Sequence, residues 1–132
     1  MSELSEKVFR HLGGRTAELA LELFDMPAEP VALLRTEVVA YNVKVRDTAV
    51  RSTTIDYSTA QGIGKGCMVL LELADDADAV TRALIQVACR YFVLEEDGGR
   101  DLHAPLGFDD DAEVFNAVAN HIGRPDLIVS LD

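Results

Sequence analysis

Three observations predict an α+β fold. Hydrophobic residues make up 48% of the 132 residues, which is enough for one core in a chain too short for two full domains. Residues 36–57 include ten Val, Ile or Thr, the residue types that favour strands. Residues 79–94 and 110–122 carry apolar side chains at helical spacing. We therefore predict one domain, residues 1–132, with N-terminal helices and a small antiparallel sheet packed on a helical hairpin.

The predicted sheet has strands at about 36–46, 49–57 and 67–74. In the first of these, apolar and more polar residues alternate as in a half-buried strand, with Val39, Tyr41, Val43 and Val45 on one side. The alternative is an all-α fold. On a long helix, near-heptad spacing would place five residues on one face: Val31, Leu34, Val38, Tyr41 and Val45. The sequence favours strands but leaves the choice between strand and helix open.

The N-terminal region predicts two short helices, at residues 3–12 and 16–24. Gly13-Gly14 separates them, and Pro27 and Pro30 follow the second. Residues 61–66 (QGIGKG) do not match a phosphate-binding loop, because Lys65 is followed by Gly66 rather than by Ser or Thr. We interpret this run as a flexible turn. Residues 127–131 can add a short strand at the C-terminus.

The helical hairpin is the most regular part of the prediction, and residues 79–122 form a helix–acidic loop–helix unit. The first helix is apolar around most of its circumference, which is typical of a central helix, and Asp75, Asp76 or Asp78 can cap it. Asp110 can cap the second helix, with Glu113 completing a capping box, and Gly123 ends it.

The charge is strongly acidic and unevenly distributed. The formal net charge is −11, and residues 72–113 account for −9 of it, with twelve acidic and three basic residues. Such a chain is a poor match for nucleic acid or an anionic membrane, and a better one for a basic partner or cations. Cys67 and Cys89 lie in apolar runs and are expected to be buried thiols in a reducing compartment, although a disulfide stays possible. With no signal pattern and no apolar run of membrane-spanning length, we predict a cytoplasmic protein.

One stretch resembles a known family. Residues 91–112 read YFVLEEDGGRDLHAPLGFDDDA, with Tyr91-Phe92-Val93-Leu94, Asp97, Asp101, Leu106-Gly107-Phe108 and Asp110-Asp111-Ala112. This run resembles, without a gap, the motif of the YkvA-like small bacterial proteins, or DUF1232 domain. Glu95, Arg100 and Ala104 stand where that family has proline, and Gly98-Gly99 where it has Leu-Ile. The resemblance implies a helix–acidic loop–helix architecture more than a function. Members of that family are often regarded as membrane-associated, which nothing in this sequence supports.

The aspartates of this stretch have three interpretations. Asp97, Asp101, Asp110 and Asp111 can be structural, as helix caps and loop-holding groups. If they converge, they become candidate ligands for Mg²⁺ or Ca²⁺, since hard cations prefer carboxylate oxygens. They can also form a protein-binding surface. We expect the structural role first, and we assign it to the motif residues Tyr91, Gly107, Phe108, Asp110 and Glu113.

The sequence carries no catalytic signature. His11, His103 and His121 lack ligand spacing, and no nucleophile motif is present. We therefore predict a non-enzymatic protein without a cofactor that acts through protein–protein contacts at its acidic surface, with a protein partner or a second copy of itself. The alternative is a divalent-cation-binding protein or hydrolase that uses the aspartate cluster. A small-molecule module with a pocket between the sheet and the 79–94 helix is a third possibility.

Overall fold

The computed structural model describes residues 3–51, 57–94 and 109–129, and this part of the chain is built from helices. Within these described residues six α-helices follow one another: α1 (Glu3–Phe9), α2 (Gly14–Phe24), α3 (Val31–Arg51), α4 (Tyr57–Ala74), α5 (Ala79–Val93) and α6 (Asp109–His121). Short 3₁₀ turns at Arg10–Leu12 and Pro125–Leu127 follow α1 and α6. The protein is therefore all-α, which was the alternative prediction, and the α+β fold class is wrong.

None of the three predicted strands exists in the described residues. Residues 36–46 and the start of 49–57 lie in α3, and residues 67–74 lie in α4. In α3 the buried side chains are Leu34, Val38, Tyr41 and Val45, at the near-heptad spacing of the helical alternative. Val39 and Val43, which completed the strand pattern, are exposed. Burial of one helical face outweighs the strand preference of valine, because the helix propensities of most residue types differ by only a few tenths of a kcal/mol, roughly, per residue.

Residues 61–66, predicted as a flexible turn, are helical and lie within α4. The glycines of this run serve close packing. A Cβ at Gly64 would lie 2.6 Å from Nδ2 of Asn42 on α3, and a Cβ at Gly66 would overlap the ring of Phe115 on α6. Glycine disfavours a helix interior, but here it lets two neighbouring helices approach α4. The resulting contact area explains why the helix continues through three glycines.

The central position predicted for the 79–94 helix is confirmed. Helix α5 packs against α2, α3, α4 and α6, and its residues 84–89 are all buried. The ring of Tyr41 on α3 meets Phe92 edge-on, with centroids 5.0 Å apart. Asp78 caps the helix as predicted, since its Oδ1 accepts a hydrogen bond from the Thr81 amide at 2.7 Å.

The second helix of the hairpin is also confirmed, with one correction at its start. Helix α6 begins at Asp109, so Asp110 lies inside the first turn and is not the capping residue. Val114, Phe115 and Val118 are fully buried, as expected from their spacing. Gly123 adopts φ 84° and ends the helix, and the Arg124 amide reaches back to the Ala119 carbonyl at 2.9 Å.

The remaining segments complete one hydrophobic cluster, to which all six helices contribute. The two N-terminal helices form as predicted, with Gly13 at φ 75° between them. At the other end, the side chain of Asn116 exchanges two hydrogen bonds with the Val129 backbone, at 2.8 and 3.0 Å. These bonds hold the last described residues against α6, and no terminal strand forms up to Val129. No helix in the described ranges is long and apolar enough to cross a membrane.

Candidate functional site

The predicted aspartate cluster is only partly within the described residues. Asp97, Asp101, Gly107 and Phe108 lie outside them. Asp110 is exposed, whereas Asp111 is buried at 3% relative exposure. The two neighbouring carboxylates therefore point into different environments. Among residues 3–51, 57–94 and 109–129, no three His, Cys, Asp or Glu side chains are arranged to hold a metal ion.

Asp111 lies near the two cysteines in the core. Cys67 and Cys89 are buried free thiols, as the sequence predicted. A hydrogen bond with Cys89 raises the pKa of the Cys67 thiol, and burial and the nearby Asp111 carboxylate raise it further. A thiol held protonated in this way is a poor nucleophile. Tyr91, a residue of the family-like motif, is likewise buried, and these groups belong to the core rather than to a reactive site.

Glu113 lies in a groove of about 410 Å³ between α1 and α6. His11 and His121, which are far apart in the sequence, also line this groove. Burial raises the pKa of the Glu113 carboxyl, the carboxylates of Asp110 and Asp109 raise it further, and His11 opposes the shift. The groove is open, and within the described residues Glu113, His11 and His121 are not arranged so that they could hold a metal ion together.

A second concavity has a different character. It is a cavity of about 160 Å³ between the α2–α3 linker, the end of α4 and the start of α5. Its walls are largely aliphatic: Met26, Val31, Leu34, Leu71, Ala74, Ala79, Ala83 and Ile85. For comparison, an engineered cavity of about 150 Å³ in another protein binds benzene. This cavity is therefore large enough for one apolar group of that size.

The polar groups of the cavity wall are already engaged. The Gln86 side chain donates to the Pro27 carbonyl at 3.0 Å and accepts from the Glu29 amide at 2.8 Å. The Glu29 carboxylate in turn pairs with Arg90 at 2.6 Å, and Arg90 also reaches Glu37 at 3.4 Å. Because these contacts satisfy the carboxamide and the carboxylate, the cavity presents mainly apolar surface to a ligand. We call the contacts of Gln86 and Arg90 with the linker residues Pro27 and Glu29 the linker clamp.

The cavity opens to solvent, because several of its lining residues, among them Met26 and Ala79, are exposed. Large exposed apolar residues cluster in the segments around it. Met26 lines the cavity at 43% exposure, and three others are sequence neighbours of lining residues: Leu33 at 42%, Leu73 at 39% and Val80 at 44%. These four are half of the eight large exposed apolar residues of the described chain. We call the cavity and these four residues the cavity surface.

Acidic side chains flank the cavity surface. The turn between α4 and α5 carries Asp75, Asp76 and Asp78, all exposed, and Glu72 lies one residue before Leu73. Arg82 is the exposed basic residue of the cavity lining. The surface therefore combines apolar side chains with a net negative charge, which suits a ligand that is apolar at its centre and basic around it.

Part of this site could be anticipated. Arg82, Gln86 and Arg90 recur at spacing four as the polar stripe of α5 in the sequence, but nothing there shows that Gln86 and Arg90 hold the linker. The pocket suggested beside the 79–94 helix does occur, with α4 and the linker in place of a sheet. The groove histidines gave no signal, because His11 and His121 come together only through the packing of α1 on α6.

No protein family model, curated protein or solved structure matches the chain. The resemblance of residues 91–112 to the DUF1232 family therefore stays a prediction. Helices α5 and α6 flank residues 95–108, as a helix–loop–helix architecture requires.

Proposed function

We propose that the protein acts by binding another polypeptide at the cavity surface. The single observation that carries this proposal is an apolar cavity open to solvent, whose lining segments also carry exposed apolar residues and acidic residues. Exposed apolar side chains that cluster on one part of a soluble protein are typical of interaction sites. Binding energy at such sites is concentrated in a few apolar side chains that enter pockets on the partner.

The chemistry of the site defines the kind of polypeptide. A large apolar side chain would enter the cavity, and Lys or Arg residues beside it would meet the carboxylates of Asp75, Asp76 and Asp78. The polar groups of the linker clamp already have partners, so apolar burial would supply most of the affinity. The basic residues would mainly raise the association rate and the selectivity.

A pair of model peptides tests this proposal. One is a short lysine–alanine peptide with a central phenylalanine, and the other has alanine in its place. We expect the phenylalanine peptide to bind at least about tenfold more tightly, because burying this side chain gives roughly 1.5–3 kcal/mol. Fluorescence anisotropy of the labelled peptides measures the difference. Equal binding of the two peptides would mean that only charge attracts them, and the proposal would be wrong.

Two matched variants assign the binding to the cavity. Ala83→Leu fills the cavity, whereas Ala117→Leu makes the same change in the α1–α6 groove. Ala83→Leu should abolish the preference for the phenylalanine peptide, and Ala117→Leu should leave it unchanged. The opposite pattern would place the binding site in the groove.

Divalent-cation binding at the start of α6 is a second candidate function. Asp109, Asp110 and Asp111 occupy the first turn, and the first two raise the pKa of Glu113 through their negative charge. A bound cation would relieve this repulsion. Thermal unfolding with and without Mg²⁺, Ca²⁺ or Mn²⁺ tests the idea, since an ion that binds the native state must raise the melting temperature. No shift with any of the three ions would remove this candidate.

A further inference from the structure

The outer face of α3 is a second apolar surface, and it shares no residue with the cavity surface. Arg35, Val39, Val43, Arg46 and Val50 follow one another at spacings of four, four, three and four, which places them on one side of the helix. Val39 is 47% exposed, Val43 42% and Val50 83%. We call these five residues the outer α3 face.

Valine at these exposed positions gains little from helix propensity or from burial. It is a weaker helix former than Ala, Leu or Lys, and between 42% and 83% of its surface stays accessible to solvent at these positions. With Val39, Val43 and Val50, the outer α3 face holds three of the four large exposed apolar residues that do not belong to the cavity surface. A row of them along a helix, with charged residues between, is typical of a face that packs against another polypeptide.

The two surfaces are complementary in charge. The outer α3 face carries Arg35 and Arg46, and the Arg46 guanidinium lies 3.8 Å from the carboxylate of Asp47. Residues 35–65 as a whole hold five basic and three acidic residues, in a chain with a net charge of −11. The cavity surface lies beside the acidic α4–α5 turn. The same chain thus carries an apolar, basic helix face and, at the cavity surface, an apolar and acidic site that could bind such a face.

We propose that the polypeptide bound at the cavity surface is a second copy of this chain, which presents its outer α3 face. This inference rests on the proposed function, since it names the partner of that same surface. A valine of the outer α3 face is small enough for the cavity, and the arginines beside it face the aspartates of the other copy. Because the two surfaces differ, the contact is head-to-tail: one copy keeps a free outer α3 face and the other keeps a free cavity surface.

Head-to-tail association makes a distinctive prediction for two blocked variants. Val43→Glu places a negative charge at the centre of the outer α3 face. Ala79→Arg places a long basic side chain at the mouth of the cavity, where Ala79 is exposed. Each variant alone should stay monomeric, with a mass of 14.4 kDa. An equimolar mixture should form dimers, because each variant still carries the surface that the other has lost.

Sedimentation velocity over a range of concentrations measures these states. For the unmodified protein we expect a mass that rises with concentration and that decreases only slightly in about 0.5 M NaCl, because salt screens the charge pairs but not the apolar contact. Far-UV circular dichroism checks that both variants stay helical, and Ala83→Leu serves as a second cavity variant if Ala79→Arg does not fold.

Other outcomes overturn the inference. A dimer that survives both cavity variants and is lost only in Val43→Glu would mean a symmetric α3–α3 contact. An unmodified chain that stays monomeric at the highest concentration would exclude self-association. If that monomer still binds the phenylalanine peptide, the proposed function stands and only the identity of the partner is wrong. If it binds no peptide either, both proposals fall.

Discussion

The ring of Phe115 on α6 lies directly against Gly66 on α4. A Cβ at this glycine would be 2.8 Å from Cε1 of the ring and nearer still to Cζ, and Phe115 itself is fully buried. The ring therefore occupies the space that any other residue at position 66 would need. This contact fixes how closely α4 and α6 approach each other. It depends on a glycine of residues 61–66, the run that the sequence predicts as a flexible turn.

Gly66→Ala should destabilise the protein. Alanine favours the helix by about 0.5–1 kcal/mol, but overpacking against a buried ring costs roughly 1–3 kcal/mol. We expect the clash to prevail, because Phe115 has no exposed side toward which it can move. Urea unfolding followed by circular dichroism measures the change.

Gly62→Ala is the matched control in the same helix. Its Cβ would lie 3.4 Å from Cγ2 of Val129, an ordinary contact, so the gain in helix propensity should remain and stabilise the protein by up to about 1 kcal/mol. Equal effects at positions 62 and 66 would show that the Phe115 contact does not constrain α4.

The linker clamp should contribute measurably to stability. Gln86→Leu removes the partners of the Pro27 carbonyl and the Glu29 amide, and leaving such groups unsatisfied costs about 1–3 kcal/mol. Amide hydrogen exchange should accelerate at the Glu29 N–H. Arg82→Gln, one turn earlier on the exposed side of the stripe, should change stability by less than about 0.5 kcal/mol. If exchange at Glu29 is unchanged in Gln86→Leu, the clamp does not hold the linker.

The cysteines should be unreactive in the folded protein. Cys67 and Cys89 are buried, and the raised pKa of Cys67 keeps its thiol protonated. We expect a soluble disulfide reagent to react at least about 100-fold more slowly with the folded chain than with the unfolded chain, because reaction requires opening of the core. Rapid reaction of either thiol under native conditions would contradict the buried placement.

Glu113 should make stability depend on pH in a defined direction. Its folded-state pKa is raised above the ordinary value of 4.5, so the folded state binds the proton more tightly than the unfolded state. Its contribution to stability is present below that value and is lost as the pH rises through the folded-state pKa. The stability of Glu113→Gln relative to the unmodified protein should therefore increase as the pH rises from acidic to neutral.

The titration of the Glu113 carboxyl carbon by NMR checks the cause. Asp110→Asn should bring the pKa of Glu113 down toward its ordinary value, because it removes one of the neighbouring negative charges. A Glu113 that titrates at or below 4.5 in the unmodified protein would contradict the account.

The sequence predicted the parts of the fold in which local and tertiary preferences agree. Helix α5 has an Asp78 cap and apolar residues on most sides, and α6 has one apolar face and ends at Gly123. Both were predicted within about two residues, the usual scatter of helix boundaries. Helix α3 was not, because its exposed valines at 39 and 43 complete the alternation of a strand. Which valines are buried is decided by neighbouring helices rather than by the local sequence.

A pocket beside the 79–94 helix could be predicted from the sequence, but its lining and the linker clamp could not, for a similar reason. Gln86 and Glu29 are 57 residues apart, and only the packing of the α2–α3 linker on α5 brings them together. The same packing leaves space between alanines and aliphatic side chains that carry no signature of a site. The acidic charge predicts a basic partner, and the sequence places its contact surface at Asp97, Asp101, Asp110 and Asp111, a prediction of which Asp97 and Asp101 lie outside the described residues.

The most direct test of the central claim is to map the phenylalanine peptide onto the protein by methyl NMR. If the cavity surface binds polypeptides, the largest shifts should occur at the methyl groups of Leu71, Ala74, Ala83 and Ile85, and the alanine peptide should leave them nearly unchanged. Largest shifts in the α1–α6 groove, at Val8 and Ala117, or shifts that are the same for both peptides, would contradict it.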